Sequence, residues 1–141
     1  MKRKVLSDLI AAGFRRIACF INQSVEVIPL ASRTVALDVP FNNLECDALT
    51  LVIDLTVNAG GLGSVVVTVQ CKDRTTGKAV TILASAALSA VATTTLKIGR
   101  GLTAAANLVA NDQVPRDLNI NISSNASPVT MAIGMQLIGS R

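Results

Sequence analysis

The sequence predicts an all-β protein, an antiparallel β-sandwich or jelly roll of about seven or eight strands behind a short N-terminal amphipathic helix. Three observations carry this expectation. Apolar and polar residues alternate along several short runs, the spacing at which successive side chains reach opposite faces of a sheet. Gly, Asn, Asp and Pro punctuate those runs at close intervals. Half of the 141 residues are apolar but only three are aromatic, all Phe, so the core is to be built from Val, Ile, Leu and Ala. A chain of this length suits one domain with a substantial core.

The chain begins with a basic arm over residues 1–23, ahead of a sandwich domain over residues 24–141. At helical periodicity Val5, Leu6, Leu9, Ile10, Gly13 and Phe14 gather on one side, with Lys4, Asp8 and Arg15 elsewhere. Such a helix, about three turns long, is marginal alone and is expected to dock against something. Lys2, Arg3 and Lys4 resemble the start of a secretory leader, but Asp8 and the Arg15–Arg16 pair interrupt the apolar stretch such a leader needs. A docking helix is therefore favoured over a cleaved signal.

From residue 24 the grammar is that of strands. Val25, Val27 and Leu30 begin an extended run in which Pro29 marks an edge or a break. A second run, over residues 34–39, is expected to stop at Pro40. Over residues 49–57, Leu49, Leu51, Ile53, Leu55 and Val57 share one face while Thr50, Asp54 and Thr56 take the other. The glycines of residues 58–63 read as a hairpin turn into the next strand. Residues 64–71 and 79–83 flank a polar turn where Asp73 can accept local backbone bonds and Gly77 can adopt a left-handed conformation, so a hairpin is expected here too. Small residues over 85–90 lead to a strand over 93–98. Residues 102–116 lose the alternation and close on Asn111, Asp112 and Pro115, which reads as a long structured loop. A last hairpin is expected from residues 118–122 and 129–137.

The net charge of +4 is local. Residues 1–16 hold five basic residues against Asp8 alone, whereas the rest of the chain is balanced. A nucleic-acid or anionic-lipid contact would use that arm. No Tyr or Trp is present to stack on bases, which favours a basic end that docks onto an acidic protein neighbour over nucleic acid. The longest apolar uncharged stretch, residues 79–96, approaches the length of a membrane span, but Ser85, Ser89 and three consecutive threonines lie in it. No membrane span is expected.

Composition also speaks against chemistry. The chain has no His, the commonest general acid/base near neutral pH and the commonest metal ligand. No serine sits in a Gly-x-Ser-x-Gly elbow. Gly60, Gly61 and Gly63 lack the Lys-Ser/Thr that a phosphate loop needs. Asp38, Glu45, Asp47 and Asp54 offer oxygen ligands but follow no EF-hand spacing. No enzymatic activity, metal or cofactor is expected. Cys19, Cys46 and Cys71 form no Cys-x-x-Cys pair, which favours free thiols of a chain made in a reducing cytosol. The sharper alternative is a cross-link between subunits of a released particle, with Cys19, at the junction of arm and sandwich, as its leading participant.

Residues 73–78 (DRTTGK), 82–88 (ILASAAL), 94–99 (TTLKIG), 101–103 (GLT), 105–112 (AANLVAND) and 114–116 (VPR) form a series that resembles a group of small tailed-bacteriophage and prophage proteins. The resemblance covers residues 45–138 and leaves the arm outside. Arg100 departs from it, standing where that group tends to have Pro. The resemblance implies a virion structural or accessory component. A capsid-decoration or neck/collar role suits the chain better than a receptor-binding tail tip, which would want exposed aromatics. The expected partners are further copies of the chain and other virion proteins, whether capsid, portal or tail. Val5, Leu9 and Phe14 would supply the adhesive face, Arg15 and Arg16 its basic flank, and Arg100 and Arg116 charged positions at the ends of the long loop. A carbohydrate- or cell-surface-binding module is the rival reading, and the absence of Trp and Tyr weighs against it.

Overall fold

A computed structural model describes residues 16–18, 24–33, 37–44, 46–59, 63–73, 75–124 and 130–140. These form ten strands: β1 (Arg16–Ala18), β2 (Ser24–Arg33), β3 (Leu37–Leu44), β4 (Ala48–Ala59), β5 (Val65–Lys72), β6 (Ala79–Ala84), β7 (Ala92–Gly99), β8 (Val109–Ala110), β9 (Asp117–Ser124) and β10 (Thr130–Ser140). Two five-stranded sheets result, in the orders β1-β3-β9-β5-β6 and β2-β10-β4-β7-β8. Their inner faces pack as a β-sandwich. Among the described residues there is no helix, and none long and apolar enough to cross a membrane. The stretch over 79–96 is instead β6, its link and the first part of β7. The helix expected over residues 5–14 lies outside the described residues.

Alternation in β4 becomes burial as expected. Leu49, Leu51, Ile53 and Leu55 are buried, and Thr50, Asp54 and Thr56 between them are half-buried on the other face. Leu96 and Ile98 of β7 stand opposite Leu51 and Leu49. With Val69, Leu118 and Ile120 of the facing sheet, these four line a void of only about 10 Å³. Each aliphatic side chain so buried contributes about 1.5–3 kcal/mol. The core is aliphatic, with Phe41 as its buried aromatic among the described residues.

Three expectations are corrected. β3 does not stop at Pro40 but runs through it. The backbone bond from Asn43 N–H to the Arg116 carbonyl makes that residue pair a hydrogen-bonded one, so by antiparallel alternation Pro40 and Asn119 form a non-bonded pair. The proline nitrogen then faces away from β9, on a side where β1 pairs only with residues 42–44, and no ladder bond is lost. The other two corrections concern hairpins. β4 and β5 lie in different sheets, and so do β9 and β10. The chain therefore changes sheets between β4 and β5 and again between β9 and β10. An arch between sheets and a tight hairpin leave the same turn residues in a sequence, and only the pairing partners separate them.

The β5–β6 hairpin forms as expected. Asp73 Oδ1 accepts from Thr75 N–H at 2.9 Å, its other oxygen accepts from the Thr76 hydroxyl, and Gly77 has φ +71°. The Thr76 hydroxyl and the Thr75 N–H hold the Asp73 carboxyl below its ordinary range. β2 is an edge strand, and Pro29 falls where its register with β10 is irregular. The short strands β1 and β8 exceed the expected number. Both pair in parallel at one edge of another strand and are too brief to leave an alternating pattern.

Candidate assembly interface

The long segment between β7 and β9 is shaped by its own backbone. Gly99 is buried where β7 meets the start of β4: a Cβ there would lie 2.9 Å from Ala48 Cβ and 3.2 Å from Leu102 Cδ1. Only a residue without a side chain permits that approach. Gly101 follows with φ +78°, and its N–H donates to Asn111 Oδ1 at 2.9 Å. The Ala105 carbonyl accepts from the N–H groups of Leu108 and Val109, at 3.1 and 2.9 Å, across a turn in which Asn107 takes φ +61°. Asn tolerates that left-handed conformation better than most residues. The Leu108 carbonyl accepts from Lys97 N–H at 2.8 Å, so this exposed leucine is presented by a pinned backbone. What the sequence presents as a loop thus contains a turn and a short parallel strand, β8.

Arg100 is exposed and donates to Gln113 Oε1 at 2.8 Å. With Cys46, Asp47, Gln113 and Val114 it lines an open cleft of about 380 Å³. Val114 is buried and anchors this end of the segment in the core. The Cys46 backbone is held by buried Asn43, whose side chain donates to the Cys46 carbonyl at 3.1 Å and accepts from Cys46 N–H at 2.9 Å. Arg116 is exposed, and its carbonyl accepts from Asn43 N–H at 2.7 Å.

β1 lies at the same end. Arg16 stands beside Asn42, which pairs across to Asp117, the neighbour of Arg116. The backbone positions of Arg16 and Arg116 are therefore two strands apart, and Arg100 lies at the end where this loop returns to the sheet. The structure thus assembles three of the expected basic interface positions at one end of the sandwich. Val5, Leu9, Phe14, Arg15 and Cys19 lie outside the described residues. Part of the segment expected to be an arm, residues 16–18, is a strand of the sandwich.

The cysteines divide. Cys46 is buried and disulfide-bonded, while Cys71 is a half-buried free thiol. Free thiols throughout, as the spacing suggested, is corrected for Cys46, because disulfide pairing depends on proximity in space that spacing along the chain does not report.

A second polar group went unnoticed in the sequence. On the outer face of the first sheet, buried Asn119 donates to Asp38 Oδ1 at 2.8 Å and to Gln70 Oε1 at 3.0 Å, and Asn121 donates to Asp38 at 3.2 Å. Bonds from Asn119 and then Asn121, helped by the charge of Lys72, hold the Asp38 carboxyl below its ordinary range against the opposing effect of burial. Asp54 lies on the other sheet and accepts from the Thr93 hydroxyl at 3.0 Å. Among the described residues, no three acidic, Cys or His side chains gather as a metal site. Ser85 was likewise missed: its buried hydroxyl accepts from Val67 N–H and donates to the Ala86 carbonyl, filling a gap in the ladder where the chain leaves β6. The alternation of Asn with Leu and Ile over residues 118–122 was the one sequence signal for the amide cluster.

Compared with known proteins, the chain matches no family model and no curated sequence.

Proposed function

We propose that this protein is a non-enzymatic structural component of a tailed-bacteriophage virion, made in the host cytoplasm, that decorates the capsid or sits at the neck or collar. It works by joining copies of itself and docking on the particle. The observation that carries this reading is that the backbone positions of Arg16 on β1, Arg100 and Arg116 lie at one end of the sandwich. The resemblance over residues 73–116 supports it, since the most phage-like residues form the segment shaped around Gly99, Gly101 and Asn107. In this reading Val5, Leu9 and Phe14 of one subunit supply apolar area to a neighbour at about 25 cal/mol per Å². Symmetry then multiplies weak contacts into a durable ring or shell.

Deleting residues 1–15, which leaves β1 whole, is the direct test. The shortened chain should fold cooperatively yet fail to join purified capsids or tails that bind the full chain, as read by co-sedimentation. Normal co-sedimentation of the shortened chain would overturn the arm's role. Failure of the full chain to bind any particle component, together with a positive glycan-array signal, would favour the carbohydrate-binding alternative.

A further inference from the structure

The open edge of the first sheet is a strand, β6, with β5 on one side and, among the described residues, no strand on the other. The bond from Asp73 N–H to the Lys78 carbonyl sets the phase of the β5–β6 ladder. Antiparallel alternation then makes Cys71 and Val80 a bonded pair and turns the N–H and C=O groups of Ala79 and Thr81 outward. The strand AVTILA has no charge, no Pro and no Gly; its register with β5 shifts only past Thr81, at Ile82, and Val80 is 62 % exposed. The other three edges are guarded: β1 and β8 have three and two residues, and β2 carries a charge, Glu26, and Pro29.

We infer that β6 is an interaction surface on which a second copy of this chain adds its own β6, antiparallel, about a twofold axis beside Val80. The inference goes beyond the proposed function, since it places a contact in the sandwich body that does not need the arm. The register follows from the open groups. Ala79 of each copy pairs with Thr81 of the other, so four backbone hydrogen bonds form, whereas a register centred on Ala79 or Thr81 would form half as many. The two Val80 side chains face each other as the central non-bonded pair. Lys78 stands opposite Ile82, so no like charges are opposed. The two Lys78 residues are four positions apart along the pair, roughly 14 Å, where salt screens their repulsion. An acidic or basic partner strand would gain nothing from so neutral an edge, whereas the chain's own strand matches it in register and charge. β8 packs beside β6, which puts exposed Leu108 on the same flank of the sandwich and adds apolar area to the contact.

Val80 is the position to change, because it is exposed and the fold does not need it. Sedimentation velocity of the full chain should show a concentration-dependent dimer. Val80→Lys and Val80→Asp should each weaken that dimer by about tenfold or more, because each opposes like charges at the axis. Mixing the two variants should restore a dimer, which only a twofold contact through Val80 explains. A full chain that stays monomeric overturns the proposal, and so does a dimer indifferent to both substitutions. If association is lost on deleting residues 1–15 but not on changing Val80, the arm carries self-association and the edge does not. If the Val80 variants lose the dimer and still join particles, the edge contact stands apart from docking.

Discussion

Asn119 of β9 donates from Nδ2 to Oδ1 of Asp38 on β3, at 2.8 Å and across 81 residues of chain. The same amide reaches Gln70, so one buried side chain ties three strands on the outer face of the sheet. Replacing it leaves Asp38 and Gln70 free to bond water, so Asn119→Ala should cost about 1–2 kcal/mol, read as a lower urea midpoint. Asp38 adds a pH dependence. Its folded pKa is lowered, so its contribution to stability is present above the unfolded value and is lost as pH falls through the lowered folded value. Because Asp38 is exposed, the effect is modest. Asp38→Asn should flatten the acid side of the stability profile, from the ordinary carboxylate range downward. An unchanged profile would mean the bond is absent in solution.

Gly99 of β7 and Ala48 of β4 approach so closely that a side chain at position 99 has no room. Gly99→Ala places a Cβ at 2.9 Å from Ala48 Cβ and should destabilise by about 1–3 kcal/mol. Ala48→Gly in the same chain removes the clashing atom and should recover part of that loss. Additive effects in the double-mutant cycle would show that the two positions do not touch.

The segment between β7 and β9 is pinned by its own hydrogen bonds, so its amides should already exchange slowly where they are bonded. Gly101, Ala105, Leu108, Val109 and Gln113 all donate within the segment. Protection across residues 102–114 should rise further on assembly, as measured by hydrogen exchange on free protein and on particles. Equal protection in both states would make the segment a piece of the domain's own packing. Asn107→Val, which forces a β-branched residue to φ +61°, should loosen it in the free protein by about 1–3 kcal/mol.

The thiols should differ in reactivity. Cys71 is to be alkylated without reduction, and Cys46 only after reduction, as read by peptide mass. Labelling of Cys46 in unreduced protein would contradict its bond. A cross-link between chains at Cys19 would appear instead as a ladder on non-reducing gels of particles that Cys19→Ser abolishes.

Read alone, the sequence determined the class of the fold and the faces of its strands. Leu49 to Leu55 alternate because side chains on a strand alternate, and burial on one face is the consequence of that geometry. The turn at Asp73 and Gly77 was equally legible, since its chemistry is local. Pairing is not local. Whether β5 pairs back onto β4 or joins the other sheet, whether Pro40 faces a neighbour, and which cysteine has a partner all depend on contacts made by residues distant in the chain. So does the placing of the Arg16 and Arg116 backbones, which share no pattern and are two strands apart only because β3 lies between β1 and β9. Tertiary structure decided these because hydrogen-bond register, not residue type, selects each strand's neighbour.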